Sequence, residues 1–554
     1  MEEIQINTHK AEDSWPISTR LGLLLCLIAT SVLWAAPANS GGAGSNDGTE
    51  VPYVFTANGP LRGIISGHVD EYLGIPYAAP PVGNLRWMPP QPYGRWPGVL
   101  QATEFGNECP QKGDAVIGSE NCLFLNVYAP QAQKKRGPHL PVMVWIHGGG
   151  LSAESGDIFD PSPLVEHGNV IVVTINYRLG LLGFFAHPAI DNEGHPRGNY
   201  GLMDQQFALR WVRQNIRGFG GNNRLVTIFG QSAGGLSAFC NLASPTAKGL
   251  FQRAIAESGS YAGLTDYLGA IVPVAVGETV GTPSVPSGVA LATTLGCPSQ
   301  TAECLRNISP ADLVGLHLNT FNFVYPFIDG TVLTQTPKAA FASGQFNRVP
   351  VISGTTHDEW RLFVAAQHDL SGAPLTNSEY ATAVEALFGP IVGPMVLELY
   401  PLPASPPADA ASLALSASGT DGIFSCPARL ADQSLSRYVT TYAYEFNDEN
   451  VPPEIGFENV SFPLGAYHDS EQLYLMNVSL FPLPPNFTPE QQQLSQAMII
   501  YWTKFAKTGD PNSAGVPTWP PYGSAADQFQ SLIPPDPTVE SSFATDHRCT
   551  FWQP

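Results

Sequence analysis

The sequence predicts an α/β fold in which a mostly parallel sheet is flanked by helices. Short apolar, β-branched runs that are typical of buried strands occur at 142–146, 225–229 and 349–354. The first two runs lead directly into glycine-containing turns, and helix-like sequence follows the second turn. With 554 residues and 44% hydrophobic composition, the chain can fill one large core that carries long insertions.

The turn after the run 225–229 has a serine at its centre. Residues 230–234 read Gly-Gln-Ser-Ala-Gly, and 235–239 resemble the start of a helix. A strand that turns sharply into a helix at a serine is the nucleophile elbow of α/β-hydrolases. The flanking glycines let strand and helix pass closely around the strained Ser232 backbone. The pentapeptide alone would equally fit an ordinary glycine-rich turn, so the prediction depends on the other parts of the machinery.

A glycine run follows the strand at 142–146. It reads His147-Gly148-Gly149-Gly150 and can expose the bare backbone N–H groups that an oxyanion hole requires. A flexible loop is the alternative, but such a loop has no need of an apolar strand leading into it. We predict that the N–H groups of Gly149, Gly150 and Ala233 are the donors.

An acid and a histidine should follow the serine along an α/β-hydrolase chain. His468 lies in a loop after the strand-like run 440–446, and residues 355–359 form the loop at the end of the strand 349–354. That second loop contains His357, Asp358 and Glu359. Spacing alone does not choose between Asp358 and Glu359 as the acid, and it does not exclude His357 as the base.

From about residue 51 to the C-terminus, the chain resembles the type-B carboxylesterases, which include cholinesterases and para-nitrobenzyl esterases. The segments that carry the resemblance, in chain order, are 72–78, 119–127, 176–180, 198–205, 501–511 and 519–522. The resemblance implies that Glu359 is the acid and His468 the base. It therefore implies ester hydrolysis by Ser232 through an acyl-enzyme.

The chain departs from the family pattern at a few positions. Asn121, Leu151 and Trp360 stand where the family usually has Asp, Phe and Gly, and Gln231 replaces the glutamate that precedes the serine in cholinesterases. None of these departures removes a catalytic group. We expect Leu151 and Gln231 to border the substrate pocket.

Cysteine usage favours an oxidising compartment. Cys109 and Cys122 flank a short loop, and Cys297 and Cys304 are close together in the sequence. A further pair, Cys426 and Cys549, matches a long-range disulfide of the resembled family. We predict these three disulfides, with Cys240 as a buried free thiol on the helix after the elbow.

The N-terminus predicts export. Residues 21–36 form an apolar stretch without a charged residue, follow Arg20 and precede the small residues Pro37 and Ala38. This length suits the core of a signal peptide better than a membrane span. We therefore predict a signal peptide at 1–38, a flexible leader at 39–50 and an α/β-hydrolase domain at 51–554. The protein should be secreted or periplasmic, without stable membrane association once the signal is cleaved; an uncleaved anchor is the alternative.

Charge and motif content exclude several classes of partner. The formal charge of −21 argues against nucleic acid and anionic membranes. No Cys/His cluster has zinc-site spacing, and no dinucleotide or phosphate loop occurs, so the sequence predicts neither a metal nor a cofactor. The expected partner is a small-molecule ester.

The loop between Cys109 and Cys122 narrows the ester class. In related lipases this loop is a long lid, and in cholinesterases it carries the tryptophan that holds a quaternary ammonium. Here residues 110–121 contain no aromatic ring, which a cation–π site requires. We therefore predict a hydrolase of short to medium soluble esters. An amidase or carbamate hydrolase with the same triad and a non-catalytic cholinesterase-like binding protein are the alternatives.

Overall fold

The computed structural model describes residues 51–113, 115–131, 139–260, 271–280, 286–316 and 324–553. The predicted signal peptide at 1–38 and leader at 39–50 lie outside the described residues. The strands, in chain order, are β1 (Tyr53–Thr56), β2 (Gly59–Arg62), β3 (Ile64–Ser66), β4 (Val69–Pro76), β5 (Leu100–Gln101), β6 (Gln111–Lys112), β7 (Val116–Ile117), β8 (Phe124–Pro130), β9 (Leu140–Ile146), β10 (Phe159–Asp160), β11 (Ile171–Ile175), β12 (Phe184–Phe185), β13 (Gly198–Asn199), β14 (Gly221–Gln231), β15 (Arg253–Glu257), β16 (Val351–Thr356), β17 (Thr441–Phe446), β18 (Asn477–Val478), β19 (Phe529–Leu532) and β20 (Thr538–Glu540).

Helices fill most of the segments between the long strands. They are α1 (Ser162–Gly168), α2 (Gly180–Gly183), α3 (Pro188–Asp191), α4 (Tyr200–Asn215), α5 (Ala233–Ala243), α6 (Val274–Thr279), α7 (Gly288–Thr294), α8 (Ala302–Arg306), α9 (Pro310–Gly315), α10 (Pro337–Ser343), α11 (Trp360–Val364), α12 (Tyr380–Leu399), α13 (Ala410–Gly419), α14 (Cys426–Leu435), α15 (Pro489–Thr508), α16 (Phe543–Asp546) and α17 (Cys549–Trp552).

One eleven-stranded sheet organises the described part of the chain. Its strand order is β20-β19-β17-β16-β15-β14-β9-β11-β8-β4-β3. The strands from β19 to β11 in this order pair in parallel, whereas β8, β4, β3 and β20 add antiparallel edges. The predicted mostly parallel sheet is therefore confirmed. Strands β9, β11 and β16 are buried along their whole length. The sequences of β9 and β11 are almost wholly apolar, as strands covered on both faces require, whereas β16 becomes polar toward its C-terminal end.

The parallel strands deliver the polar motifs to one edge of the sheet. Strand β9 ends just before His147, β14 ends just before Ser232, and β16 ends three residues before Glu359. Strand β17 leads into the long loop that carries His468. Because the carboxyl ends of neighbouring parallel strands meet at one edge, residues that are far apart in sequence converge there.

The elbow between β14 and α5 depends on glycine. A Cβ atom on Gly234 would lie 1.8 Å from the carbonyl oxygen of Ile146, and one on Gly230 would lie 2.4 Å from the same oxygen. Ser232 has a φ of 53° and a ψ of −120°, a strained conformation for a residue with a side chain. Its backbone N–H is held by the carbonyl of Glu257 at 2.8 Å.

Helix α12 is apolar and exposed, and by length and composition alone it could cross a membrane. Its interior is broken at Gly389, which has a φ of 76° and a ψ of 172° and precedes a proline. A membrane span needs about 20 continuous helical residues. Each half of α12 falls well short of that length, so this helix gives little support for a membrane-spanning segment.

Six cysteines form the three predicted pairs. Cys109 bonds to Cys122, Cys297 to Cys304 and Cys426 to Cys549. The last pair closes a segment of 123 residues, for which the chain-entropy estimate is about 5 kcal/mol of stabilisation. Cys240 is free and fully buried, and burial raises the pKa of its thiol far above the ordinary value.

These cysteines predict a simple labelling pattern. Alkylation of the native protein should leave Cys240 unmodified, because a buried, protonated thiol is unreactive. Alkylation after denaturation without reductant should modify Cys240 and none of the six paired cysteines. Peptide mass spectrometry checks this, and modification of Cys109 or Cys122 without reductant would contradict the pairing.

Candidate active site

Ser232 lies at the point where β14 meets α5, and only 8% of its surface is exposed. Helix α5 begins at Ala233, so its unsatisfied N–H groups and positive dipole end face the serine. Among the described residues, the Ser232 hydroxyl forms no hydrogen bond. It is therefore available to a ligand that enters from the edge of the sheet.

His468 and Glu359 are in direct contact. The Nδ1 atom of His468 forms a short hydrogen bond to Oε2 of Glu359. Glu359 is completely buried, and its other oxygen accepts a 2.9 Å hydrogen bond from the N–H of Thr356. Rings of Phe363 and Phe424 pack against the imidazole, with centroid distances of 5.1 and 5.0 Å. The carboxylate thus fixes the orientation of the imidazole, and the aromatic rings exclude water from it.

Asp358 forms hydrogen bonds to the loop that carries His468 and does not contact the imidazole. Its Oδ2 accepts a 3.0 Å hydrogen bond from the N–H of Ala466, and its own N–H donates to the Ala466 carbonyl at 2.8 Å. Arg361 neutralises its charge at 2.8 Å. Of the two adjacent acids that spacing leaves open, Glu359 is the one whose carboxylate reaches His468.

His357 points elsewhere. Its Nδ1 lies 3.2 Å from Oε1 of Glu445, and its ring packs against that of His547 at 5.3 Å. These contacts remove it from the surroundings of Ser232, so the histidine beside the elbow is His468.

The predicted oxyanion donors have the required freedom. Gly149 and Gly150 have φ values of 74° and 63°, which favour glycine. Within the described residues, the N–H groups of Gly149, Gly150 and Ala233 donate to no protein group. The neighbouring N–H of Gly148 is instead used by Glu154 at 3.1 Å. Since α5 starts against the end of β9, these free donors share one edge of the sheet with Ser232.

Gln231 takes a place at the imidazole that was not expected. Its Nε2 lies 3.3 Å from Nε2 of His468, which is the atom that must receive the serine proton. In this resting arrangement the amide, and not the serine hydroxyl, contacts that nitrogen. Catalytic hydrogen bonds are often long or absent without substrate and form when it binds.

Leu151 and Trp360 are buried. Leu151 has a φ of 59°, and Trp360 packs its indole against Gly419 and the ring of Phe363. An apolar cavity has a lining that includes Leu181, Val272 and Phe327 but neither Leu151 nor Gln231. The placement of Leu151 and Gln231 beside a substrate pocket therefore stays a prediction.

Sequence reasoning missed two carboxyl groups that act on His468, Asp469 and Glu154, and a third, Glu454, that lies close to both of them. Asp469 has a φ of 77°, and its Oδ1 lies 3.7 Å from Nε2 of His468. Burial, together with the negative charge of Asp469, raises the pKa of Glu154 to about 8. Burial also raises the pKa of Glu454 well above its ordinary value. Only the adjacency of Asp469 to His468 is visible in the sequence.

Glu154 ties the disulfide loop to the glycine run. Its backbone exchanges two hydrogen bonds with the Gln111 amide, at 2.7 and 3.0 Å. Its side chain accepts from Gly148 at 3.1 Å. Its φ of 72° is strained for a residue with a side chain, so these contacts offset a backbone cost. The loop between Cys109 and Cys122 is thereby held against the glycine run that carries the predicted oxyanion donors.

Two opposing effects act on the base. Burial alone would lower the pKa of His468, but the negative charges of Asp469 and Glu359 and the hydrogen bond to Glu359 outweigh it. The pKa of His468 is therefore raised above its ordinary value of 6.5. The imidazole lies between two carboxylates, one at each ring nitrogen.

Comparisons with known proteins agree on one family. The Carboxylesterase family matches residues 50–552. The chain is 35% identical to the acylcarnitine hydrolase of Mus musculus over 546 residues, which cover 93% of this chain and 91% of that protein. It is 35% identical to the para-nitrobenzyl esterase of Bacillus subtilis over 490 residues, which cover 85% of this chain and 92% of that protein.

Solved structures agree with the sequence comparisons. A PNB esterase superposes with a TM-score of 0.72 at 32% identity and covers 90% of this chain and 99% of that chain. The likeness confirms the predicted α/β-hydrolase fold and the resemblance to type-B carboxylesterases.

The position of Asp469 predicts the acid side of the pH profile. Only neutral His468 can accept a proton, so activity is lost as pH falls through its pKa, which lies above 6.5. Asp469→Asn removes a charge that raises this pKa, and asparagine tolerates a positive φ. The acid limb of kcat/KM should therefore move to lower pH.

Asp546→Asn, at an exposed site, is the matched control and should leave the limb in place. An unchanged or raised limb in Asp469→Asn would refute the electrostatic role of Asp469.

Proposed function

The chain belongs to the carboxylesterase family and is a serine hydrolase of carboxylic esters, and we propose that Ser232, His468 and Glu359 perform its reaction. The observation that carries this proposal is the buried contact between His468 and Glu359 beside the elbow serine. All members of the triad are present, which favours an enzyme over a non-catalytic binding protein.

Ser232 Oγ attacks the ester carbonyl as its proton passes to Nε2 of His468. The Gln231 amide must first release that nitrogen, since it lies 3.3 Å away in the resting arrangement. Glu359 holds Nδ1–H and stabilises the imidazolium that forms. The imidazolium then protonates the departing alkoxide, which leaves the acyl-enzyme. Water attacks the acyl-enzyme by the same route and releases the acid.

The developing oxyanion needs donors that are in place before the reaction. The N–H groups of Gly149, Gly150 and Ala233 suit this role because no described protein group uses them. Each such donor is worth roughly 3–4 kcal/mol of transition-state stabilisation in a serine hydrolase. The positive end of α5 adds to the same field.

Short to medium soluble esters are the substrates that we propose. The segment between Cys109 and Cys122 is short and is pinned by Gln111 to Glu154. A loop held in this way is poorly suited to open as a lid on a lipid surface. The alcohol and acyl groups can then reach Ser232 from solution.

The acidic groups near His468 do not make a cation site at neutral pH. Glu154 has a pKa of about 8 and is mostly protonated at pH 7. The charges of Glu359 and Asp469 lie on either side of the imidazole, which partly neutralises them when it is protonated. Because the loop between Cys109 and Cys122 has no aromatic ring, a quaternary ammonium substrate should gain little binding affinity over a neutral one.

Export is part of the proposal. The three disulfides are consistent with an extracytoplasmic protein. The predicted signal at 1–38 would supply the route, and cleavage after Ala38 would leave the leader at the new N-terminus.

The two adjacent acids should separate clearly in kinetics. Glu359→Gln should lower kcat on the order of 10⁴-fold, because the amide no longer fixes the imidazole tautomer or stabilises the imidazolium. Asp358→Asn is the matched control and should lose far less, since asparagine can still accept from Ala466. Steady-state kinetics on one para-nitrophenyl ester measures both, and a reversed order would transfer the role to Asp358.

A series of para-nitrophenyl esters tests the substrate class. Each methylene that enters an apolar pocket can gain about 0.8 kcal/mol, so kcat/KM should rise roughly fourfold per methylene, then fall once the pocket is full. The rate should not jump at the solubility limit of the ester. At pH 7, acetylcholine should be no better than 3,3-dimethylbutyl acetate.

Ser232→Ala should abolish turnover of all these esters. For the wild-type enzyme, the para-nitroanilide of a given acyl group should be a much poorer substrate than the para-nitrophenyl ester of the same acyl group. Interfacial activation, a strong preference for the cation, or faster anilide cleavage would each contradict the proposed class.

A further inference from the structure

Two histidines and a glutamate that the ester chemistry does not use converge from distant parts of the chain. His357 follows β16, Glu445 lies on β17, and His547 lies between α16 and α17. One ligand atom from each residue lies within 4.8 Å of the other two. We propose that this cluster binds a Zn²⁺ ion through His357, Glu445 and His547.

The spacing suits a tetrahedral ion. Bonds of about 2.0–2.2 Å to zinc place neighbouring ligand atoms about 3.3–3.6 Å apart. Nδ1 of His357 is 3.2 Å from Oε1 of Glu445, and Nε2 of His547 contacts the same oxygen. The two rings are inclined at 60° with centroids 5.3 Å apart. An ion would separate Nε2 of His547 from this oxygen, since the two atoms are in direct hydrogen-bond contact without it.

The second nitrogen of His547 is held as it is in many zinc sites. Oδ1 of Asp421 lies 2.7 Å from its Nδ1, and the other oxygen of Asp421 accepts a 2.6 Å hydrogen bond from Tyr400. A carboxylate that accepts from one ring nitrogen fixes the tautomer and turns the other nitrogen toward the metal. Asp421 is thus a positioning residue, and His547 presents Nε2 to the ion.

A nearby carboxylate and an access path complete the surroundings, and the fourth position on the ion would be open to Glu540 or to water. The carboxyl group of Glu540 lies beside that of Glu445, and its buried Oε1 has no hydrogen-bond partner among the described residues. The His357 side chain is 35% exposed, so an ion can reach the cluster from solution. Two imidazoles and one carboxylate suit Zn²⁺, whereas Mg²⁺ and Ca²⁺ prefer oxygen ligands alone.

Sequence reasoning predicts no metal here because the ligands lie 88 and 102 residues apart, and no local motif joins them. The cluster links the C-terminal segment to the loop of the catalytic acid. His357 is two residues before Glu359, and its N–H donates to the Phe446 carbonyl at 3.0 Å. The ion would therefore stabilise the loop from which Glu359 contacts His468.

Metal binding to the full chain tests this site directly. Chelator-treated protein is titrated with Co²⁺ and with Zn²⁺ and followed by visible absorption and calorimetry. Wild type should bind one ion per chain, and Co²⁺ should show the intense visible bands of four-coordinate geometry. Zn²⁺ should raise the melting temperature as binding to the native state requires.

His357→Ala removes a partly exposed ligand and should preserve the fold. It should weaken binding by roughly 100-fold or more, because even orienting residues outside the ligand set account for 10–100-fold. Asp421→Asn should weaken binding by roughly 10–100-fold. His68→Ala, at an exposed histidine, is the matched control and should bind as wild type does.

The competing description is a buried ion-pair network in which protons alone balance the carboxylates. Under that description wild type and His357→Ala would bind Co²⁺ equally weakly, without four-coordinate bands, and Zn²⁺ would not raise either melting temperature. That result overturns the proposal. Because these readouts do not involve ester turnover, the site can fail while the proposed esterase function stands.

Discussion

The close approach of α5 to the end of β9 is the constraint on which the active site depends. The first turn of the helix packs so closely against the Ile146 carbonyl that position 234 has no room for a Cβ atom. This contact forces the turn at Ser232 into a conformation with a positive φ and pushes the hydroxyl out of the sheet. It also brings the glycine run after β9 beside the first turn of α5. Nucleophile and oxyanion donors are therefore products of one packing contact.

Several buried carboxyl groups lie close to the catalytic histidine. The imidazole of His468 lies between Glu359 and Asp469, and two more carboxyl groups, Glu154 and Glu454, are buried nearby. Burial raises the pKa of both groups above the ordinary carboxyl value. The pocket can then be rich in acids without repelling a neutral ester or concentrating a cation, and the charge that acts on the base comes from its two immediate neighbours.

Local sequence carried much of this arrangement. The elbow and the glycine run are visible in the sequence because each depends on residues adjacent in the chain. Residue spacing does not show which of Asp358 and Glu359 is the acid. The choice depends on tertiary contacts, because the backbone at Ala466 binds the Asp358 carboxylate and leaves Glu359 to contact His468. Gln231 and Glu154 acquire their contacts with His468 and Gly148 only through tertiary packing. No short-range sequence pattern predicts such contacts.

The central claim is that Ser232 is the nucleophile, and covalent trapping tests it most directly. The wild-type protein is treated with an organophosphonate ester and the adduct is located by peptide mass spectrometry. We expect one phosphonyl group per chain on the peptide that contains Ser232, and none on Ser232→Ala under the same conditions. Labelling of Ser232→Ala at the wild-type rate would contradict it.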